Sequence, residues 1–244
     1  MKAKSNNEDS QIEKLKTDFI SLSSHQLRTP LSAVKWFTEI LMTQRAGKLN
    51  KKQLEYLREV HHSNERAIAL VNDLLQVSRV QEGQLHLDLT KFDIGVLLEE
   101  VIEANRAELT GREITINFEI INGPLAKVLA DKIKVRRVME NLLNNAIRYT
   151  PRSGRIEIKL KNADKVIECS ISDSGVGIPQ DEQESIFSKF FRATNVTKIQ
   201  PDGTGLGLFI AKSLIEAHGG KIWFESSDTE GTTFYFTVPI KPKK

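Results

Sequence analysis

Cysteine is nearly missing from this sequence, Cys169 being the only one in 244 residues. A single thiol cannot close an intramolecular disulfide and argues against a cysteine-based zinc site. Cys169 falls in the apolar run VIECSI, where a reduced cysteine buried in a strand is expected. An excess of either charge is missing too: Lys plus Arg number 35 against 32 Asp plus Glu, with the two signs interspersed. That balance argues against nucleic acid as a partner, and the closing KPKK reads as a solvated end. No stretch approaches the roughly 18 consecutive apolar residues that cross a bilayer. The opening MKAKSNNEDSQ also lacks the apolar core of a signal peptide. The expectation is a soluble, cytoplasmic chain, with room left for a sensor or membrane-anchored segment upstream. A hydrophobic content of 39% is ordinary for a globular protein, and the length suits one large domain or two modest ones.

What is present changes period partway along. Ile12, Leu15, Phe19 and Leu22 step by three and four, as do Leu54, Leu57, His61, Asn64, Ile68, Val71 and Leu75, with the Gly47-containing break QRAGKLNK between the two sets. This predicts a helical hairpin whose arms of about 35 residues are each roughly 50 Å long. A lone hairpin of that length leaves its seam half covered, so a second copy completing a dimeric four-helix bundle is expected. Beyond SRVQEGQLHLDL the pattern becomes one of short strands and amphipathic helices. The run LHLDLTKF is followed by helical IGVLLEEVIEANRAEL, EITINFEI, helical DKIKVRRVMENLLNNAIRY, IEIKLK and VIECSISD, then by helical GLGLFIAKSLIEAHGG and the strands KIWFES and TTFYFTVP. Alternating strands such as RIEIKLK need cover on one side only, which predicts an α+β fold with helices on one face of a sheet. The expected domains are 1–85 and 86–244.

Three segments of the second part carry chemistry suited to a nucleotide. In DSGVGIP, Asp173 ends an apolar strand, Gly175 and Gly177 permit a tight turn, and the carboxylate is able to accept a hydrogen bond from an exocyclic amine. In DGTGLGLFIAKSLI, the run Gly203, Thr204, Gly205, Leu206, Gly207 leads into a helix whose first N–H groups are free to meet phosphate. In NLLNNAIRYT, Asn141 and Asn145 share a helix face with Arg148 and Tyr149 one turn on, and an amide oxygen is a hard ligand fit for Mg²⁺. Taken singly, each has an ordinary explanation: an Asp-Gly turn, a flexible loop before a cap, exposed asparagines.

Their order is more specific. With SHQLRTPL first, then NLLNNAIRYT, DSGVGIP, FSKFFRA and GTGLGLFIAKSLIEAHGG, the chain resembles the sensor histidine kinases of two-component systems across residues 10 to 240. The resemblance implies a dimeric phosphotransfer hairpin followed by an α+β sandwich ATP-binding domain of the gyrase, Hsp90 and histidine kinase type. It implies ATP and Mg²⁺ as cofactors, Mg²⁺ held through Asn145 with Asn141 on the same wall, and Asp173 reading the adenine amine. Arg192 falls on a basic position near the phosphates, Arg148 stands where a lysine is frequent, and Phe187, Phe190 and Phe191 read as packing under a lid from Thr194 to Asp202 that includes Lys198 and Pro201. His25 corresponds to the phosphoacceptor that passes its phosphoryl group to an aspartate of a response regulator.

An imidazole with a reference pKa near 6.5 is a competent nucleophile around neutral pH. Extending the seam from Leu22 to Gln26 and Thr29 leaves His25 on the flank, within reach of an approaching domain. Pro30 cannot donate to the carbonyl of Gln26, so a bend and a local loosening are expected there. Thr29 matches a position that directs water for dephosphorylation of the regulator. His61, His62, His86 and His218 all have structural explanations, His218 as a cation at a helix end.

One departure stands out: Gln26 occupies the position where the family usually has an acid. An amide orients an imidazole but takes up no proton, and general bases contribute roughly 10²–10⁴-fold where proton transfer limits the rate. Attack on phosphate through a loose transition state needs little deprotonation, so kinase activity is expected to survive. Two other readings remain at this stage: another enzyme of the same ATP-binding superfamily, which leaves the His25 hairpin unexplained, and a phosphatase-biased or non-catalytic nucleotide-binding dimer, which Gln26 favours.

Overall fold

The structure, a computed structural model, describes residues 22–24, 26–45, 47–199, 203–227 and 230–241. Ile12, Leu15, Phe19, His25, Pro201, Asp202 and the side chain of Lys198 lie outside the described residues. The chain divides into two compact units, Met1–Leu85 and His86–Lys244. No helix among the described residues is long and apolar enough to cross a membrane.

The first unit is a helical hairpin. Helix α1 includes 22–24 and 26–42, and α2 spans Lys51–Gln81. Asn50 starts α2 through a reciprocal capping box: its side chain accepts from the Gln53 N–H at 2.9 Å, and the Gln53 amide accepts from the Asn50 N–H at 2.9 Å. The arms meet through polar pairs as much as through apolar ones. Arg28 donates to Asn72 at 2.9 Å, Asn64 donates to the Leu31 carbonyl at 2.9 Å, Lys35 pairs with Glu65 at 3.0 Å, and Thr38 bonds His61 at 3.0 Å. The helical assignment continues through Pro30, so the expected loosening does not break the helix. The proline removes one bond to Gln26, and Asn64 grips the carbonyl of the very next residue. Val71, Leu75 and Val77 are buried, whereas Leu22, Gln26 and Thr29 are exposed in the single chain. The seam drawn through these last three is therefore not covered within one hairpin.

The second unit is α+β. Five strands lie in the order β2 (Thr115–Ile121), β4 (Arg155–Ala163), β5 (Val166–Asp173), β7 (Gly231–Pro239), β6 (Ile222–Ser227). Only β2 and β4 run parallel. Alternation sets the two faces: Ile156, Ile158, Leu160, Ile167, Cys169, Ile171 and Phe236 are almost completely buried, and their neighbours in sequence point away from the helices. The helical layer comprises α3 (Ile94–Ala104), α5 (Lys132–Tyr149) and α7 (Gly207–Ala217), which supply Leu97, Leu98, Met139, Leu142, Leu143, Ile210 and Leu214 to the same core. At about 1.5–3 kcal/mol per fully buried large side chain, this layer dominates the unit's stabilisation.

Several short elements differ from the sequence expectation. IGVLLEEVIEANRAEL is not one helix: it breaks at Asn105, whose side chain bonds the Val101 carbonyl at 2.9 Å, and resumes as α4 (Arg106–Gly111). LHLDLTKF contributes only β1 (Thr90–Phe92), which pairs with β3 (Val128–Ala130), an element too short for periodicity to reveal. His218 is not a cation at a helix end. It is buried, its Nδ1 bonds the Leu214 carbonyl at 2.7 Å and its Nε2 accepts from the Asp131 N–H at 3.1 Å. Burial pushes its pKa down, and a ring that donates through one nitrogen and accepts through the other is neutral.

Leu143, fully buried on α5, tests this core: Leu143→Ala is expected to lower unfolding stability by about 2–5 kcal/mol. Urea denaturation followed by circular dichroism would measure it, and a loss below about 1 kcal/mol would contradict the packing described.

Candidate functional site

The end of β5 delivers Asp173 to a buried corner. Its Oδ1 accepts from the Gly175 N–H at 2.8 Å and the Thr232 N–H at 3.4 Å, while Oδ2 takes no hydrogen bond among the described residues. Burial pushes the carboxyl up to about 6, outweighing the two N–H groups that favour the charged form. The corner is thus a desolvated acceptor with one oxygen uncommitted. Gly175 is required by crowding: a Cβ there would lie 2.6 Å from Asp173 Oδ1 and 2.7 Å from the Tyr149 carbonyl oxygen. The Asp173 loop consequently rests directly on the backbone that ends α5.

Helix α5 forms the neighbouring wall. Asp131 caps its start by accepting from the Lys134 N–H at 3.0 Å, and its other carboxylate oxygen accepts from the Asp88 N–H at 3.0 Å and from the Lys134 ammonium. Burial alone would raise the Asp131 pKa, yet these partners hold it below the usual carboxylate range. Further along α5, Asn141 donates to the Gly207 carbonyl at 3.1 Å, tying α5 to the start of α7. Asn145 is half-buried, and its carboxamide takes no hydrogen bond among the described residues. It is therefore free to turn its oxygen toward a cation. Arg148 and Tyr149 are half-exposed on the last turn.

The glycine-rich run closes the third side. Thr204 Oγ1 accepts from the Leu206 N–H at 3.2 Å, Leu206 is buried, and α7 begins at Gly207 with no side chain capping it. Its first N–H groups are left for an anion, reinforced by the helix dipole. Gly205 has φ +67°, and a Cβ there would lie 2.6 Å from the Phe190 backbone, so this position accepts only glycine. Arg192 packs its guanidinium against Gly203, where a Cβ would sit 3.0 Å from Cζ. Gly177, with φ +65°, presents its carbonyl to the Asn195 amide at 3.0 Å.

The structure thus joins Asn141 to Gly207, Tyr149 to Gly175, Arg192 to Gly203 and Phe190 to Gly205. Gln26 and Thr29 belong to the other unit, and His25 lies outside the described residues. One expectation is corrected. Phe190 does not pack: the residue is 59% exposed and its φ is +62°. Phe187 does pack, its ring centroid 6.0 Å from that of Phe224. The stretch read as a lid begins as helix α6 (Thr194–Ile199), anchored by buried Ala193 and Val196 and by Asn195 on the Gly177 loop. Sequence reading missed Asn195, whose only signal is polarity in a polar run, and Arg112, an isolated basic residue in a turn. The Arg112 guanidinium donates to the carbonyls of Ile147, Arg148 and Thr150, the last at 3.1 Å.

Residues 15–83 match the His Kinase A (phospho-acceptor) domain, and residues 130–242 match the Histidine kinase-, DNA gyrase B-, and HSP90-like ATPase family. The sensor histidine kinase WalK of Bacillus subtilis is 32% identical over 243 residues, 97% of this chain and 39% of WalK. Full-length ShkA in complex with AMPPNP superposes with a TM-score of 0.76 at 29% identity, covering 91% of this chain and 45% of ShkA. The histidine kinase ThkA in complex with the response regulator protein TrrA superposes at 0.65 and 28% identity, covering 99% of this chain and 67% of ThkA. The chain spans between 25% and 43% of the length of the first curated relatives it matches.

The raised pKa of Asp173 sets a sign for stability. The folded unit holds this proton more tightly than the unfolded chain, so the contribution is complete below pH 4 and is lost as pH rises through about 6. Asp173→Asn removes that loss, so its stability relative to the parent should grow by roughly 3 kcal/mol between pH 4 and 7. Parallel denaturation curves at both pH values measure the difference. A relative stability that stays flat with pH would contradict the desolvated carboxyl.

Proposed function

Because this chain belongs to the sensor histidine kinases of two-component systems, we propose that it binds Mg-ATP in the unit His86–Lys244 and phosphorylates His25 in the hairpin unit Met1–Leu85. The phosphoryl group then passes to an aspartate on the receiver domain of a response regulator. The observation that carries this reading is the convergence of three features on one corner: the desolvated Asp173 carboxyl, the uncapped α7 N-terminus, and the uncommitted Asn145 amide on the helix between them.

Each feature fits one part of the nucleotide. Asp173 Oδ2 accepts from the exocyclic amine of adenine, and Gly175 and Gly177 keep the loop close to the base. The N–H groups at the start of α7, together with Arg148 and Arg192, face phosphate oxygens, with Gly203, Thr204, Gly205 and Leu206 shaping the approach. Asn145 offers a hard amide oxygen, with Asn141 steadying the same wall, and this donor set suits Mg²⁺, whose role when bound is to neutralise charge across the phosphates. In the transfer, a neutral imidazole nitrogen of His25 attacks the γ-phosphorus, an N–P bond forms, and ADP leaves. Gln26 orients that ring without taking its proton, and Thr29, one turn on, offers a hydroxyl able to direct water at the phosphorylated regulator.

A second copy of the chain completes the hairpin. Trp36 is 58% exposed and Phe37 57%, with Tyr56 and Val60 also exposed, an apolar surface suited to burial in a four-helix dimer. The ThkA complex with TrrA supports a receiver domain as partner. A free, buried Cys169 and an ATP-dependent reaction accord with a cytoplasmic location.

The test is incubation of the purified chain with γ-labelled Mg-ATP beside His25→Ala. Label that requires His25, is lost in acid and survives alkali is expected. Nucleotide binding without label would favour the phosphatase-biased reading that Gln26 supports. Gln26→Glu should acquire label at least as fast as the parent, and a slower rate would contradict the role given to Gln26.

A further inference from the structure

Arg112 lies in the turn between α4 and β2 and touches none of the residues assigned to nucleotide above through their side chains. Its guanidinium nevertheless forks across the end of α5, donating to the carbonyls of Ile147, Arg148 and Thr150. These are groups that a helix leaves without partners in its last turn, and a cation there also complements the negative end of the dipole. Arg112 binds the same corner a second time through its own backbone, its carbonyl accepting from the Ser153 N–H at 3.1 Å. Beside it on the surface, Glu113 accepts from Ser153 Oγ at 2.9 Å and from Arg152 at 2.5 Å, contacts that reach none of the α5 carbonyls.

What this corner supports decides its importance. The carbonyls held by Arg112 flank Tyr149, and the Tyr149 carbonyl is the group against which Gly175 rests so closely that a Cβ would lie 2.7 Å away. The Gly175 N–H in turn bonds Asp173 Oδ1 at 2.8 Å. A displacement of the last turn of α5 therefore has two consequences. It carries Arg148 and Tyr149 away from their places, and it withdraws the backbone on which the Asp173 loop sits. The α5 wall and the adenine-reading loop share one support, and Arg112 fastens it.

We propose that Arg112 is a positioning residue of the nucleotide site, fixing the last turn of α5 against the Asp173 loop so that both walls meet one nucleotide. The inference rests on the nucleotide-binding reading given above. Lysine cannot replace it fully, because one ammonium does not span three carbonyls as a planar guanidinium does.

The experiment uses the intact chain and titrates Mg-ADP by calorimetry, alongside autophosphorylation kinetics and melting temperature, for the parent, Arg112→Ala, Arg112→Lys and Arg152→Ala. Arg152 is the control, since it pairs with Glu113 at the same corner without touching the α5 carbonyls. Arg112→Ala is expected to weaken Mg-ADP binding and raise KM for Mg-ATP by about 10- to 100-fold, as loss of an outer supporting partner does. Its kcat at saturation should stay within about twofold, because the reacting groups themselves are unchanged. Arg112→Lys should fall between it and the parent, and it serves as the readout if Arg112→Ala does not fold. Arg152→Ala should bind as the parent does. Mg-ADP binding by both Arg112 variants equal to that of the parent would overturn the proposal, whatever happens to the melting temperature, and so would an equal loss in Arg152→Ala. A parent that fails to bind Mg-ADP would instead overturn the nucleotide-binding reading beneath it.

Discussion

The backbone contact between Gly175 and the Tyr149 carbonyl is the constraint on which the rest of the candidate site depends. It places the loop that follows a central strand directly on the end of the helix that packs over that strand, with no side chain between them. Because both partners are main chain, the spacing is set by van der Waals contact and tolerates little drift. Asp173 is desolvated in consequence of that closeness, and its altered proton affinity follows from position more than from any neighbouring charge. Beyond the contact, the α5–α7 link through Asn141 and Gly207 carries the same order to the start of α7.

The two units are held together internally by different physics. The His86–Lys244 unit has an apolar core in which Ile, Leu, Val and Phe from the sheet meet the helical layer. The hairpin instead spends interhelical positions on polar pairs: Arg28 with Asn72, Asn64 with the Leu31 carbonyl, Thr38 with His61. Such pairs add little net stability compared with apolar contacts but define register, since a slip of one residue leaves polar groups unpartnered. On the proposed reading, in which this hairpin presents one imidazole to the other unit, defined register counts for more than maximal stability.

The helical hairpin, the α+β class and the order of the longer elements were legible in the sequence because each rests on a period sustained over many residues. The candidate site was proposed from short runs in which chemistry is concentrated, as with Asn141 and Asn145, Asp173, and Gly203 to Gly207. What escaped was set by tertiary structure. Strand β3 is three residues long and exists because β1 lies beside it. Arg112 acquires its meaning from carbonyls 35 to 38 positions away. His218 read as a cation because its position after a helix suggests one, whereas burial and the Asp131 N–H make it neutral. Phe190 read as packing because aromatic residues usually pack, yet its left-handed backbone turns it outward.

The central claim is a division of labour, with nucleotide held by one unit and phosphoryl group accepted by the other. The most direct measurement is to produce residues 1–85 and 86–244 as separate proteins, combine them at high concentration with γ-labelled Mg-ATP, and resolve them afterwards. The account predicts acid-labile label on the hairpin alone, dependent on His25 and on the presence of the other unit. Label on the His86–Lys244 unit, or a hairpin that becomes labelled without it, would contradict the account.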